Sequence, residues 1–144
     1  MIYKHCSRVT GVEFVDTDLV FSSSMNGDLS RTSLVEGKSI LELEIPHEIS
    51  DICFQSELSS LLLTGRRVVK LWDYRTSEAN IEVAVPEIAN CIDALDNLFV
   101  VGMKTGAEIY DVRHIEGGPL QLIEFAEVQR VSFHPCFHGN SCSF

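Results

Sequence analysis

The feature that most constrains the fold of this chain is a pattern of about forty residues that recurs along it. Val12-Glu13-Phe14 returns 40 residues later as Ile52-Cys53-Phe54, and once more as Val131-Ser132-Phe133. Pro46 and Pro86 repeat the interval of 40 in a different part of the pattern. A repeat of this length predicts structural units that bury their apolar faces by stacking on their neighbours. The chain holds three copies and the start of a fourth.

Within each copy the sequence predicts short β-strands separated by turns. Asn26-Gly27 lies between two such runs, and Asn-Gly is a strong signal for a two-residue hairpin. Leu61–Leu63 and Leu98–Val101 lack alternation, which predicts strands covered on both faces. No long stretch has a helical period. Four antiparallel strands in each copy, stacked radially, predict an all-β fold of propeller blades.

The register also predicts how the chain is divided. Blades are expected at approximately 5–45, 46–85 and 86–126, followed by a partial blade at 127–135 and an irregular tail at 136–144. Because propellers close with about 4–8 blades, we expect an incomplete ring. An open arc exposes apolar faces and strand edges. A β-sandwich is the alternative fold, since regularly spaced strands also allow it, but the self-similarity counts against it.

One ten-residue stretch carries a family resemblance. Thr64–Asp73 reads Thr-Gly-Arg-Arg-Val-Val-Lys-Leu-Trp-Asp and resembles the signature of the WD-repeat family. Ala107–Asp111 is similar to the same strand, with Tyr110 in the place of the tryptophan, and Phe133-His134-Pro135 resembles the turn after the first strand of many blades. The resemblance covers about residues 5–135. It implies a WD-repeat-like β-propeller whose members mostly assemble partners and share no chemistry.

The same resemblance implies a buried hydrogen-bonded set in each blade, formed by His, Ser or Thr, Asp and Trp. The second copy supplies His47, Thr64 and Trp72, but Arg66 stands where the acid belongs. The third copy has Lys104 in that place. No copy is complete. A buried donor left without its acceptor costs about 1–3 kcal/mol, so we expect divergent blades.

Charge and composition exclude several functional classes. The 144 residues carry a net charge of −10, which argues against nonspecific binding of nucleic acid. No apolar run reaches the roughly 18 residues that a membrane-spanning helix needs, and the N-terminus lacks a signal-peptide pattern. Five irregularly spaced cysteines do not suggest a disulfide framework. We therefore expect an intracellular chain, cytoplasmic or nuclear.

Basic residues are gathered in equivalent hairpins of neighbouring copies. Arg66, Arg67 and Lys104 are predicted to lie side by side on one rim of the ring, close to the loop that carries His47 and Glu48. In the family this rim commonly binds partners. These five residues are our predicted partner-binding site, suited to an acidic or phosphorylated peptide. The alternative is that hairpin tips are exposed and tolerate any polar residue.

The C-terminal residues raise the question of a metal site. Four side chains that zinc accepts fall within nine residues: His134, Cys136, His138 and Cys142. The spacing Cys-x-His-x3-Cys is not a common zinc pattern, and His134 is already explained by the family's turn. We therefore predict an irregular tail and no metal or other cofactor.

Enzyme motifs are absent from the sequence. It has no phosphate-binding loop, dinucleotide fingerprint, zinc-protease helix or nucleophile elbow. Asp51 and Asp93 are expected at equivalent positions of their first strands, where a rim or channel role fits better than paired acid–base catalysis. Catalysis ranks third among the functions, because propellers can host enzymes.

The sequence thus predicts an intracellular protein–protein interaction scaffold that recognises partners through loops on a rigid sheet framework. The alternative is a truncated or partial propeller with little independent function. Another chain, or self-association, would then complete its ring.

Overall fold

Three four-stranded antiparallel sheets make up the described part of the computed structural model, which covers residues 3–76, 78–124 and 130–133. The all-β fold class is confirmed. Among these residues no helix is long and apolar enough to cross a membrane. The predicted tail and its cysteine and histidine cluster lie outside the described residues.

Each sheet contains four strands that follow one another along the chain. The first sheet consists of β1 (Val9–Phe14), β2 (Leu19–Ser24), β3 (Asp28–Ser33) and β4 (Lys38–Glu44). The second consists of β5 (Asp51–Gln55), β6 (Ser60–Gly65), β7 (Val68–Asp73) and β8 (Glu78–Ala84). The third consists of β9 (Cys91–Leu95), β10 (Leu98–Gly102), β11 (Gly106–Asp111) and β12 (Gln121–Glu124). A 3-10 turn, Ile115–Gly117, precedes β12.

Local turn chemistry sets the first sheet's central hairpin. Gly27 has φ +93°, a left-handed conformation that residues with a Cβ rarely adopt. Its N–H donates to the Ser24 carbonyl at 3.1 Å, which closes the turn between β2 and β3. A side chain at Gly27 would also overlap the carbonyls of Ile45 and His47. Three residues, Met25, Asn26 and Gly27, separate β2 from β3, so the loop is one residue longer than the two-residue hairpin that Asn-Gly signals. Gly27 still closes this turn and leaves room for the loop that packs on it.

Two apolar cores hold the three sheets together. The first core joins the first and second sheets, and Phe21, Leu61 and Trp72 are among its largest buried side chains. The second joins the second and third sheets, with Leu62 and Phe99 at its centre. Because successive residues of β6 point to opposite sides, this strand feeds both cores and is buried along its whole length. The predicted two-sided burial is confirmed.

Carboxylates join the first strand of each sheet to the segment that follows it in space. The Phe54 backbone N–H on β5 acts on the Glu13 carboxyl and partly offsets the rise in its pKa that burial causes. Asp51 Oδ2 accepts one from the Ile92 N–H on β9 at 3.0 Å. Asp93 Oδ2 accepts one from the Phe133 N–H at 2.6 Å. These bonds satisfy N–H groups on strand edges that no neighbouring strand pairs.

The strand register corrects one expectation about these acids. Asp51 lies opposite Thr64, and Cys91 lies opposite Gly102, so Asp51 corresponds to Cys91 and not to Asp93. The predicted equivalence of Asp51 and Asp93 is therefore wrong by two residues. Both side chains still lie on corresponding faces of their strands, because a shift of two residues preserves the face of a strand.

An aspartate–arginine pair closes the ends of β7 and β11 in the same way. Asp73 Oδ1 accepts hydrogen bonds from the backbone N–H and Nε of Arg75, and Asp73 Oδ2 accepts one from Nη2 at 2.9 Å. Asp111 and Arg113 repeat all three bonds. The bonds from Arg113 lower the pKa of Asp111 to about 2. We name these two pairs the strand-end clamps.

The clamp at Asp111 predicts a loss of stability in acid. Because its folded-state pKa lies below the ordinary value of 3.8, its stabilising contribution is present above that value. The contribution is lost as pH falls toward about 2. We expect the urea midpoint of the Asp111→Asn variant to fall less than that of the parent chain between about pH 4 and pH 2. Glu57→Gln removes an exposed acid on the β5–β6 turn and is the control. Its urea midpoint should fall with pH as much as that of the parent chain.

Candidate functional site

Hairpins and loops from all three sheets meet on one side of the molecule. We call this surface the hairpin rim; it comprises the β2–β3, β6–β7 and β10–β11 hairpins with the loops at 45–50 and 85–90. The Ile45 N–H donates to the Gly27 carbonyl at 3.0 Å, and the Val85 N–H donates to the Arg67 carbonyl at the same distance. Each loop is thus bonded to the hairpin of its own sheet.

All five residues of the predicted partner-binding site lie on the hairpin rim. His47 and Glu48 are half-buried in the first loop, while Arg66 and Arg67 form the exposed tip of the β6–β7 hairpin. Lys104 is exposed on the β10–β11 hairpin. The fold therefore presents the three basic side chains to solvent on one surface.

The loop at 45–50 packs directly on the β6–β7 hairpin, which carries Arg66 and Arg67. A Cβ at Gly65 would overlap the Glu48 carbonyl and come within 3.0 Å of His47 Nδ1. Arg66 follows Gly65 with φ +49°, a left-handed conformation that costs an L-residue about 1–2 kcal/mol. The close packing on Gly65 and the pairing of β6 with β7 hold the Arg66 backbone in this conformation.

Glu87 bonds the loop at 85–90 to the hairpin that carries Lys104. Its carboxylate accepts hydrogen bonds from the Thr105 hydroxyl at 2.7 Å and from the Thr105 N–H at 3.1 Å. These bonds, and then the charges of Lys104 and Arg67, lower the pKa of Glu87. The sequence analysis did not assign Glu87 to the site. The repeat offered a signal, because Glu87 holds the position of His47 in the preceding copy.

The family resemblance implies hydrogen bonds among His47, Thr64 and Trp72, but the structure gives these side chains different surroundings. Trp72 is 1% exposed and packs edge-on against Phe21, with ring centroids 5.8 Å apart. Its Nε1 has no hydrogen-bond partner among the described residues. Thr64 Oγ1 donates to the Asp51 carbonyl at 3.1 Å, and His47 Nδ1 lies 3.0 Å from the Glu48 carbonyl. Hydrogen bonds therefore do not join Trp72 to the other two.

A groove of about 450 Å³ runs along the first strands of the three sheets. Burial raises the pKa of both Glu13 and Asp51, and backbone N–H groups partly offset this rise at each carboxyl. Burial likewise raises the pKa of the Cys53 thiol to about 12 and raises that of Cys91. A thiol in this state is protonated at neutral pH and is a poor nucleophile. The groove's acids and thiols therefore serve the packing of the strands.

Solved structures of WD40 repeats resemble this arrangement of sheets. A crystal structure of the RRP9 WD40 repeats matches the chain with a TM-score of 0.69 and 11% sequence identity. A structure of U3-55K gives the same TM-score and identity. Each match covers 85% of this chain, whereas the chain spans only 40% and 41% of the length of those two chains. The chain has the fold of WD40 blades.

This chain resembles the WD40 blades in structure and not in sequence, since only 11% of the aligned residues are identical. No protein-family model and no curated protein sequence matches the chain. The predicted resemblance to the WD-repeat propellers is confirmed by the three four-stranded sheets and by these structural matches.

The unpartnered indole of Trp72 predicts an asymmetric response to substitution. Phenylalanine removes an unsatisfied donor that costs about 1–3 kcal/mol, which offsets the packing lost with the smaller ring. We expect Trp72→Phe to change the free energy of unfolding by less than about 1 kcal/mol, and Trp72→Ala to lower it by about 3–5 kcal/mol. Urea titrations measure both. An equal loss in the two variants would show that the indole nitrogen is satisfied in solution.

Proposed function

We propose that this chain is an intracellular protein–protein interaction scaffold whose partners bind at the hairpin rim. The observation that carries the proposal is that the loop at 85–90 is hydrogen-bonded to both basic hairpins, through Val85 to Arg67 and through Glu87 to Thr105, the neighbour of Lys104. The WD40 blade fold supports it, because hairpins and loops on a rigid sheet framework suit surface recognition. The proposed role involves no chemistry on the partner.

The charges on the rim favour an acidic or phosphorylated segment as the partner. The chain as a whole carries −10, so exposed Arg66, Arg67 and Lys104 form a local exception to an acidic surface. Arginine and lysine bind carboxylates and phosphates through charge-assisted hydrogen bonds. The charges of Lys104 and Arg67 contribute to lowering the pKa of Glu87, and a partner's acid would experience the same attraction. Direct binding of nucleic acid is not proposed.

Charge reversal on the rim tests the proposed function. We expect a fluorescein-labelled peptide rich in glutamate and phosphoserine to bind the parent chain more weakly as salt rises. The Arg67→Glu/Lys104→Glu variant should lose roughly tenfold or more in affinity, because two attractive contacts become repulsive. Fluorescence anisotropy gives both dissociation constants.

A matched control separates the rim from the overall charge. Lys38→Glu/Lys4→Glu makes the same change in net charge at exposed lysines outside the rim. This control should bind the peptide with nearly parental affinity. Equal weakening in both double variants, or no saturable binding by the parent chain, would contradict the rim as the recognition surface.

One face of the first sheet favours the second candidate, a partial propeller completed by further protein. Val12 and Phe14 are 59% and 63% exposed. Their counterparts one repeat later, Ile52 and Phe54, pack in the core against the first sheet, and Ile52 is only 4% exposed. The same register therefore buries these positions in the second blade and exposes them in the first. We propose that a second copy or another chain covers this face.

Self-association through this face makes a prediction about mass. We expect light scattering to give a mass that rises above 16.1 kDa with concentration. The Val12→Ser/Phe14→Ser variant should shift the mass back toward that of one chain, because the apolar area that drives association is removed. Val35→Ser, at an exposed valine on the β3–β4 turn, is the control. A cooperatively folding monomer at every concentration would exclude completion of the ring by self-association.

A further inference from the structure

A second groove lies on the outer circumference, between the second and third blades. It has a volume of about 500 Å³ and is bounded by residues 81–84 of β8 on one side and by Ile115, Glu116 and Pro119 on the other. Tyr110 also lines it. Ile115 packs against the core between these two blades, so the groove wall is held in place. A groove of this size accommodates a few residues of an extended peptide.

The strand that borders this groove has an open edge. Among the described residues β8 pairs only with β7, so one side of its backbone is available for further pairing. The first blade shows what such an edge strand accepts. There the Tyr3 N–H, from the segment that precedes β1, donates to the Ser39 carbonyl of β4 at 3.1 Å. β4 holds the same outer place in its sheet that β8 holds in the second.

The two faces of β8 have different chemistry. Val83 belongs to the core between the second and third blades, and Ile81, two residues earlier, lies on the same face and is 38% exposed. Glu82 points to the opposite face, with its carboxylate 3.4 Å from Lys70 Nζ and its side chain 62% exposed. A strand added beside β8 would thus meet apolar side chains on one face and a carboxylate on the other.

We propose that the outer edge of β8 binds an extended segment of a partner protein in which apolar and basic side chains alternate. Backbone hydrogen bonds add the segment to the second sheet as a further strand. Its apolar side chains lie toward Ile81 and the groove, and its basic side chains lie beside Glu82, since opposite charges on adjacent strands attract. This surface is separate from the hairpin rim, and its partner is basic where the rim's partner is acidic.

A designed peptide tests the proposal directly. The ligand is an acetylated, amidated hexapeptide of alternating valine and lysine, labelled with fluorescein, which presents all its valines on one face when extended. We expect saturable binding by anisotropy and slower amide hydrogen exchange in β8 on binding. Glu82→Lys should weaken binding roughly fivefold, because an attractive cross-strand pair becomes repulsive.

Two controls decide the outcome. Glu57→Lys makes the same change in net charge at an exposed acid on the β5–β6 turn and should retain parental affinity. The same peptide with an N-methyl group on every residue cannot donate backbone hydrogen bonds and should not bind. Equal weakening by Glu57→Lys, undiminished binding of the methylated peptide, or absence of saturable binding would each overturn the proposal.

Discussion

The packing of the three blades depends on one recurrent interaction, a carboxylate on one first strand that accepts a backbone N–H of the next. Asp51 and Asp93 make this contact, and the Phe54 N–H acts on the Glu13 carboxyl of the first sheet in the same sense. First strands lie at sheet edges, where an N–H without a partner is costly once it is partly buried. Burial raises the pKa of Glu13 and Asp51, because it disfavours the ionised form of each carboxyl. The contact also sets the register between neighbouring blades.

The same interaction reaches the segment at 130–133. Asp93 binds the Phe133 N–H just as Asp51 binds the Ile92 N–H one repeat earlier. The Val131 backbone also acts on the Cys91 thiol, the counterpart of Asp51, and lowers its pKa against the effect of burial. The segment at 130–133 therefore contacts β9 through the same kind of bond that joins β9 to β5. Its place in space follows from the acid on β9, and the predicted recurrence of Val12–Phe14 at Val131–Phe133 acquires a physical basis.

Much of the fold could be predicted from the sequence, because hairpins are local and the forty-residue interval aligns their turns. The Asn26-Gly27 turn and the two-sided burial of β6 are of this kind. The contacts between blades could not be predicted from the sequence. They join residues about 40 positions apart, and the packing of the sheets decides which of these residues meet. Hence the role of Glu87 and the shift between Asp51 and Asp93 emerged only from the three-dimensional arrangement.

The strand-end clamps have a consequence for the order of folding. Asp73 binds Arg75, and Asp111 binds Arg113, so each clamp closes a loop of only two residues. Closing so short a loop loses little chain entropy compared with joining distant segments. Hairpins connect the remaining strands of each blade in sequence order. The contacts within each sheet thus join residues of the same forty-residue copy, and this connectivity predicts that folding proceeds blade by blade, with each sheet completed by packing on its neighbour.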